Sequence, residues 1–133
     1  MARIDWAVLC DLAFMDRLGR LCVIGVTREF FVPALPIALH QVVLVAHLTD
    51  VQPIDTIGVG VFVVSPHGVS ARPKTSDSII VELSGEYVLA TLRNVPLTDE
   101  GVYRFDIALT GQTPTSVVFS VLAENCPSAT HCQ

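Results

Sequence analysis

The chain has 133 residues, enough for one hydrophobic core and too few for a separate catalytic domain. Apolar residue types make up 51% and charged ones only 16%, against a usual charged share of about 25%, which excludes intrinsic disorder. With a net charge of −5 the chain has little Lys and Arg to cluster against a phosphate backbone, so nucleic acid is set aside as a partner.

Asp5 and Asp11 interrupt the opening segment, which therefore does not read as a secretory leader, and the expected location is the cytoplasm. The longest uncharged stretch, Phe30 to Thr49, is 20 residues long. It carries Pro33, Pro36, His40, Gln41 and His47 and reads as a turn followed by a buried strand, not as a membrane span.

Strands are expected over 3–14, 20–32, 38–49, 56–65, 79–83, 86–93, 102–110 and 116–123. Asp16-Arg17-Leu18-Gly19 closes the first hairpin, and Pro33 to Pro36 separates the second strand from the third. Ser65-Pro66-His67-Gly68 has the residue order of a type I turn. Leu21 to Val26, Val42 to Ala46 and Val59 to Val64 are apolar at both parities and rich in β-branched residues, as in strands covered on both faces. Tyr103, Phe105, Ile107 and Leu109 instead alternate with Arg104, Asp106, Ala108 and Thr110, the period of a strand with one wet face. No apolar stripe at helical spacing with caps is present. Eight short strands separated by turns predict an all-β sandwich or barrel over residues 1–123, and residues 124–133 form a polar tail.

Tyr87 to Leu109, 23 residues, resembles the E strand, corner and F strand of immunoglobulin-like domains, with Asp99-x-Gly101-x-Tyr103-x-Phe105 in place of Asp-x-Gly-x-Tyr-x-Cys. The resemblance implies an immunoglobulin-like antiparallel β-sandwich of seven to nine strands, with Asp99, Gly101 and Tyr103 as a structural tyrosine corner. Phe105 stands where the family has its second disulfide cysteine, with Cys22 on the strand of the first, and the single tryptophan, Trp6, is not on strand C. A wider likeness rests on Trp6 to Asp11, Asp16-x-x-Gly19-Arg20-Leu21, Ile24-Gly25-Val26, Pro36 and the Ser65 to Gly68 turn. On these residues the chain resembles an uncharacterised bacterial family of small all-β proteins, a likeness that carries no activity.

Cys10 and Cys22 are expected as buried free thiols. Cys126, His131 and Cys132 in the tail lack a fourth ligand, so no metal site is expected, although a disulfide between Cys126 and Cys132 stays open. Asp5, Asp11 and Asp16 read as solvated turn acids and not as a calcium cluster. His40 and His47, seven apart on one strand, are expected on opposite faces, and no nucleophile or phosphate-loop motif is present, so neither an enzyme nor a cofactor is expected.

The apolar excess is the most informative feature. A sandwich needs only its inner faces apolar, so strands apolar at both parities predict a covering partner. The favoured reading is a non-enzymatic interaction or assembly module forming a homo-oligomer through Val42, Leu44, Val59, Val61 and Val63, with a further protein partner left open. Covering by the N-terminal segment and the Pro66 to Ser78 loop is the alternative to self-association. A small-ligand or carbohydrate-binding sandwich is the alternative function.

Overall fold

The computed structural model describes residues 2–50, 59–68, 70–71, 79–109 and 113–124. Among the described residues eleven strands run in chain order: β1 (Arg3–Cys10), β2 (Leu12–Met15), β3 (Leu21–Ile24), β4 (Glu29–Val32), β5 (Ile37–Thr49), β6 (Val59–Val64), β7 (Ser70–Ala71), β8 (Ile79–Ser84), β9 (Tyr87–Leu97), β10 (Gly101–Leu109) and β11 (Thr115–Ala123). A four-stranded sheet, β1-β5-β9-β8, faces a five-stranded sheet, β4-β11-β10-β6-β7, while β2 and β3 form a separate hairpin. The two orders reproduce the ABED and GFC layout of an immunoglobulin-like sandwich, with β9 and β10 as strands E and F. Among the described residues no helix is long and apolar enough to cross a membrane.

Two expected strands are each broken in two. The 3–14 strand stops at Asp11 and the 20–32 strand stops after Ile24, so β2 and β3 leave the sheets as a hairpin inserted between β1 and β4. The cause is local. Gly25 has φ 73°, a left-handed conformation open to glycine, and a Cβ there would collide with the Asp11 carboxylate. At the far end Asp16 Oδ1 accepts from the Leu18 and Arg20 amides, closing the turn. Cys22 therefore lies on this hairpin, opposite Phe14, and not on the B strand, which is β5.

The core between the sheets is built from one parity of each long strand. Val42, Leu44, Ala46 and Leu48 of β5 and Val88, Ala90 and Leu92 of β9 meet Tyr103, Phe105 and Ile107 of β10 and Phe119 and Val121 of β11. Phe119 stacks on Phe105 (centroids 4.9 Å apart, planes at 21°) and on Tyr103 (5.4 Å, 20°), and meets Phe30 edge-on at 5.4 Å. The parity of β5 and β9 flips together beside Asn94, whose φ is 54°. Leu39 and Val95 pack on the core before the flip, Val42 and Leu92 after it.

The corner between β9 and β10 is pinned by Tyr103. Its ring is buried, and its hydroxyl donates to the Asp99 carbonyl (3.0 Å) and accepts from the amides of Thr98 (3.1 Å) and Asp99 (3.2 Å). Gly101 enters β10 at φ 137°, and a Cβ on it would sit 3.0 Å from Pro66 Cγ. The Ser65 to Gly68 turn, closed by the Gly68 amide on the Ser65 carbonyl at 2.9 Å, therefore packs against the corner.

Candidate functional site

The outer face of the four-stranded sheet carries the other parity of β5: Val43, Val45 and His47, in register with Cys10, Val8 and Trp6 of β1 and with Thr91, Leu89 and Tyr87 of β9. The chain's own hairpin roofs half of this face. Cys10, Val43 and Val45 are buried in a second apolar cluster, with Val8 beneath and Ala13, Leu21 and Val23 of the hairpin above. The apolar doubling of β5 thus comes from two cores made by one polypeptide, and the N-terminal segment supplies the cover that the sequence assigned to a neighbouring molecule.

The expected interface residues are corrected accordingly. Val42, Leu44 and Val61 are 1%, 1% and 5% exposed inside the inter-sheet core, where no second molecule reaches them. Val63 is half-buried against the same core. The side chain of Val59 lies outside the described residues, as do Cys126, His131 and Cys132 of the tail. Cys10 is a free thiol and fully buried; burial raises its pKa, and its Sγ lies 3.6 Å from the Val43 carbonyl. Cys22 is free and half-buried, not fully buried as expected.

The unroofed half of the face carries a cluster that the sequence did not reveal. Cross-strand neighbours Trp6, His47 and Tyr87 form a row: His47 stacks on Trp6 (5.6 Å, 11°) and tilts against Tyr87 (5.1 Å, 54°). A bulge in β1 between Ile4 and Trp6 brings Asp5 to the same side. His47 Nδ1 then lies 2.6 Å from Asp5 Oδ1, and Nε2 lies 3.3 Å from Glu86 Oε1. Asp5 is thus a strand residue bound to histidine and not a turn acid. A neutral imidazole has one N–H and satisfies one of these carboxylates; the imidazolium satisfies both. The Asp5 hydrogen bond, with help from Glu86, accordingly holds the His47 pKa above its ordinary value.

The sign of the resulting pH dependence follows. A pKa raised by folding gives stability that is complete below the unfolded imidazole value of about 6.5 and is lost as pH rises through the folded value. Urea midpoints of the wild type are expected to fall as pH rises through that window, whereas His47→Gln shows a flatter profile there. A wild-type profile parallel to that of the variant would contradict the pairing.

His40 is exposed and, because of the parity flip beside Asn94, lies on the outer side of β5 with His47, not on the opposite face as expected. Seven residues of strand still separate the two by roughly 23 Å. His67 sits on the turn after β6, 3.2 Å from Asp99. The described histidines do not converge, and among the described residues no three His, Cys, Asp or Glu side chains are placed to share a metal ion.

The hairpin's second face was also missed. Register pairs Leu12 with Ile24 and Phe14 with Cys22, on the side opposite Ala13, Val23 and Leu21. Leu12, Phe14 and Ile24 are 46%, 43% and 52% exposed. Leu18 at the turn and Val26 beyond β3 are exposed as well. The alternation of Leu12 and Phe14 with Ala13 signals a strand with two distinct faces, but only the break at Asp11 turns those faces away from the sandwich.

No curated protein matches the chain significantly. Among solved structures it is similar to the M1 domain from titin at 10% sequence identity and a TM-score of 0.36, over 73% of this chain and 86% of that one. A family model matches residues 5–122, a span that takes in most of β1, the inserted hairpin, the other strands of both sheets nearly to the end of β11, and the tyrosine corner. The chain therefore belongs to the family of unknown function DUF6941.

Proposed function

We propose that the chain is a non-enzymatic interaction module that self-associates through the outward apolar face of the β2–β3 hairpin. The observation that carries this reading is the Leu12–Ile24 and Phe14–Cys22 pair of cross-strand contacts, uncharged and open, on a hairpin whose other face is already spent on the second core. The largest apolar patch on a typical monomer spans about 300–600 Å² and is often functional. An uncharged apolar patch carries no like charges to repel its own copy, so two copies related by a two-fold axis bring Phe14 and Ile24 of each against the other. The free thiols of Cys10 and Cys22 fit a reducing, cytoplasmic setting. The acidic balance argues against nucleic acid, and no membrane contact is part of this reading.

Sedimentation velocity over a concentration series tests it. The wild type is expected to approach twice the 14.4 kDa chain mass. Phe14→Glu and Ile24→Glu are each expected to raise the dissociation constant at least about thirtyfold, the effect of losing an interface anchor, with thermal stability near that of the wild type because both side chains are already half in water. A wild type that stays at 14.4 kDa at the highest concentrations, or glutamate variants that associate as it does, would overturn the proposal. The alternative, a small-ligand or carbohydrate-binding sandwich, has the Trp6–His47–Tyr87 row in its favour; there the rings stack on one another and His47 is committed to two carboxylates, which leaves little for a ligand.

A further inference from the structure

β4 pairs with β11 only from Ser120 to Ala123, although β11 begins at Thr115. The chain leaves this edge just before β4: the Arg28 carbonyl accepts from the Ser120 amide (2.8 Å), whereas the Thr27 amide donates to the Leu9 carbonyl (3.0 Å), on β1 in the opposite sheet. The first half of β11 is thus left with β10 on one side and, among the described residues, no strand on the other. Ser120 and Glu124 both direct their amides toward β4, and the two-residue period of a strand directs the amides and carbonyls of Ser116 and Val118 the same way. These groups border a slit of about 390 Å³ walled by Ala7 of β1, by Arg28 and Glu29 at the head of β4, and by β11 from Ser116 to Ser120. Ala7, Val117 and Phe119 make its apolar side, since all three pack on the inter-sheet core.

We propose that this slit takes an extended segment of a partner polypeptide, which adds as a strand along Thr115 to Phe119 where β4 stops short. A row of unpaired amides and carbonyls recognises an extended backbone and little else. Five residues of strand span roughly 16 Å, so a short segment fills the gap. Alternate side chains of the segment meet Ala7, Val117 and Phe119 and are small and apolar. Arg28 and Glu29 are both exposed and, among the described residues, in no ion pair, so the end of the segment meets one charge of each sign at the head of β4. β1 walls one side of the slit and the head of β4 the other, which favours a free segment over the edge strand of a second folded copy with its own neighbours attached. This occupant is independent of the hairpin surface, and the Phe14→Glu variant leaves the slit untouched.

The test pans random twelve-residue displayed peptides on the full-length chain with the Val118→Pro variant as soluble competitor, then titrates the most enriched peptide into isotope-labelled protein. Val118→Pro removes an amide that points away from β10 and sets ring carbons in the slit, so the β10–β11 ladder survives. Ala7→Leu, which fills the slit from the opposite wall, is the second variant should the first fold poorly. The expected result is a peptide whose binding shifts amide resonances at Ser116 to Ser120, protects the Val118 amide from hydrogen exchange, and weakens at least tenfold in either variant. Failure to enrich any peptide that discriminates wild type from variant, or shifts confined to β8, would overturn the proposal. So would protection of the Val118 amide that rises with protein concentration without peptide, which would assign the edge to a second copy.

Discussion

Phe105→Ala is expected to lower the unfolding free energy by about 3–5 kcal/mol, the range for truncating a buried phenylalanine, because both the transfer of the ring and the cavity it leaves count against the fold. The ring is 0% exposed, lies on β10 between Val63 of β6 and Val117 of β11 in register, and stacks on Phe119. Phe119 in turn stacks on Tyr103 and meets Phe30 edge-on, so the loss propagates along a column of three stacked rings that ends at the tyrosine corner. An inter-sheet disulfide occupies the equivalent place in many immunoglobulin-like domains; here dispersion and apolar burial do the joining, which suits a chain whose described cysteines are free. Phe105→Leu keeps most of the volume and is expected to cost under about 1.5 kcal/mol. Urea unfolding of the three proteins measures the difference. A loss below 1 kcal/mol for the alanine variant, on the order of a single removed methylene, would show that the column is not a centre of stability.

What the sequence disclosed and what it hid divide along a physical line. The β9–β10 corner was legible because its determinants are local: Asp99, Gly101 and Tyr103 lie within five residues, and the hydroxyl of Tyr103 needs only the backbone just upstream. The long strands were legible from β-branched composition. The allocation of faces was not, because Val42, Val43, Leu44 and Val45 are all aliphatic and periodicity cannot say which parity meets the opposite sheet and which meets the hairpin. That choice depends on Asp11 and Gly25, two residues whose importance appears only when they face each other across the hairpin's base. The His47 cluster depends on a bulge that moves Asp5 to the side of Trp6, and a one-residue irregularity in a strand has no mark in the residue types. The slit beside β11 is hidden for a related reason: Val117, Val118 and Phe119 read as ordinary strand, and what sets them apart is the early departure of β4 in favour of Leu9.

The second core invites the sharper test. Val45 is 0% exposed beneath the hairpin, and Val45→Asp sets a carboxylate among Val8, Cys10, Val43, Ala13, Leu21 and Val23, with no cation in that cluster. Keeping the hairpin docked over an unpaired charge costs at least several kcal/mol. Releasing the hairpin instead lets water reach the carboxylate, and costs the apolar burial that the hairpin contributes, on the order of 3–5 kcal/mol for the few partly buried side chains involved. The molecule takes the cheaper route, so the variant is expected to keep the sandwich while β2 and β3 swing free. Two measurements separate this from general unfolding. Amides of the β2–β3 ladder should lose hydrogen-exchange protection while those of β9 and β10 keep theirs, and trypsin should cut at Arg17 and Arg20 in the exposed turn far faster than in the wild type. Equal loss of protection in both sheets would mean that the hairpin is an integral part of one cooperative unit, and unchanged protection of the ladder would mean that the outer face of β5 does not depend on its roof.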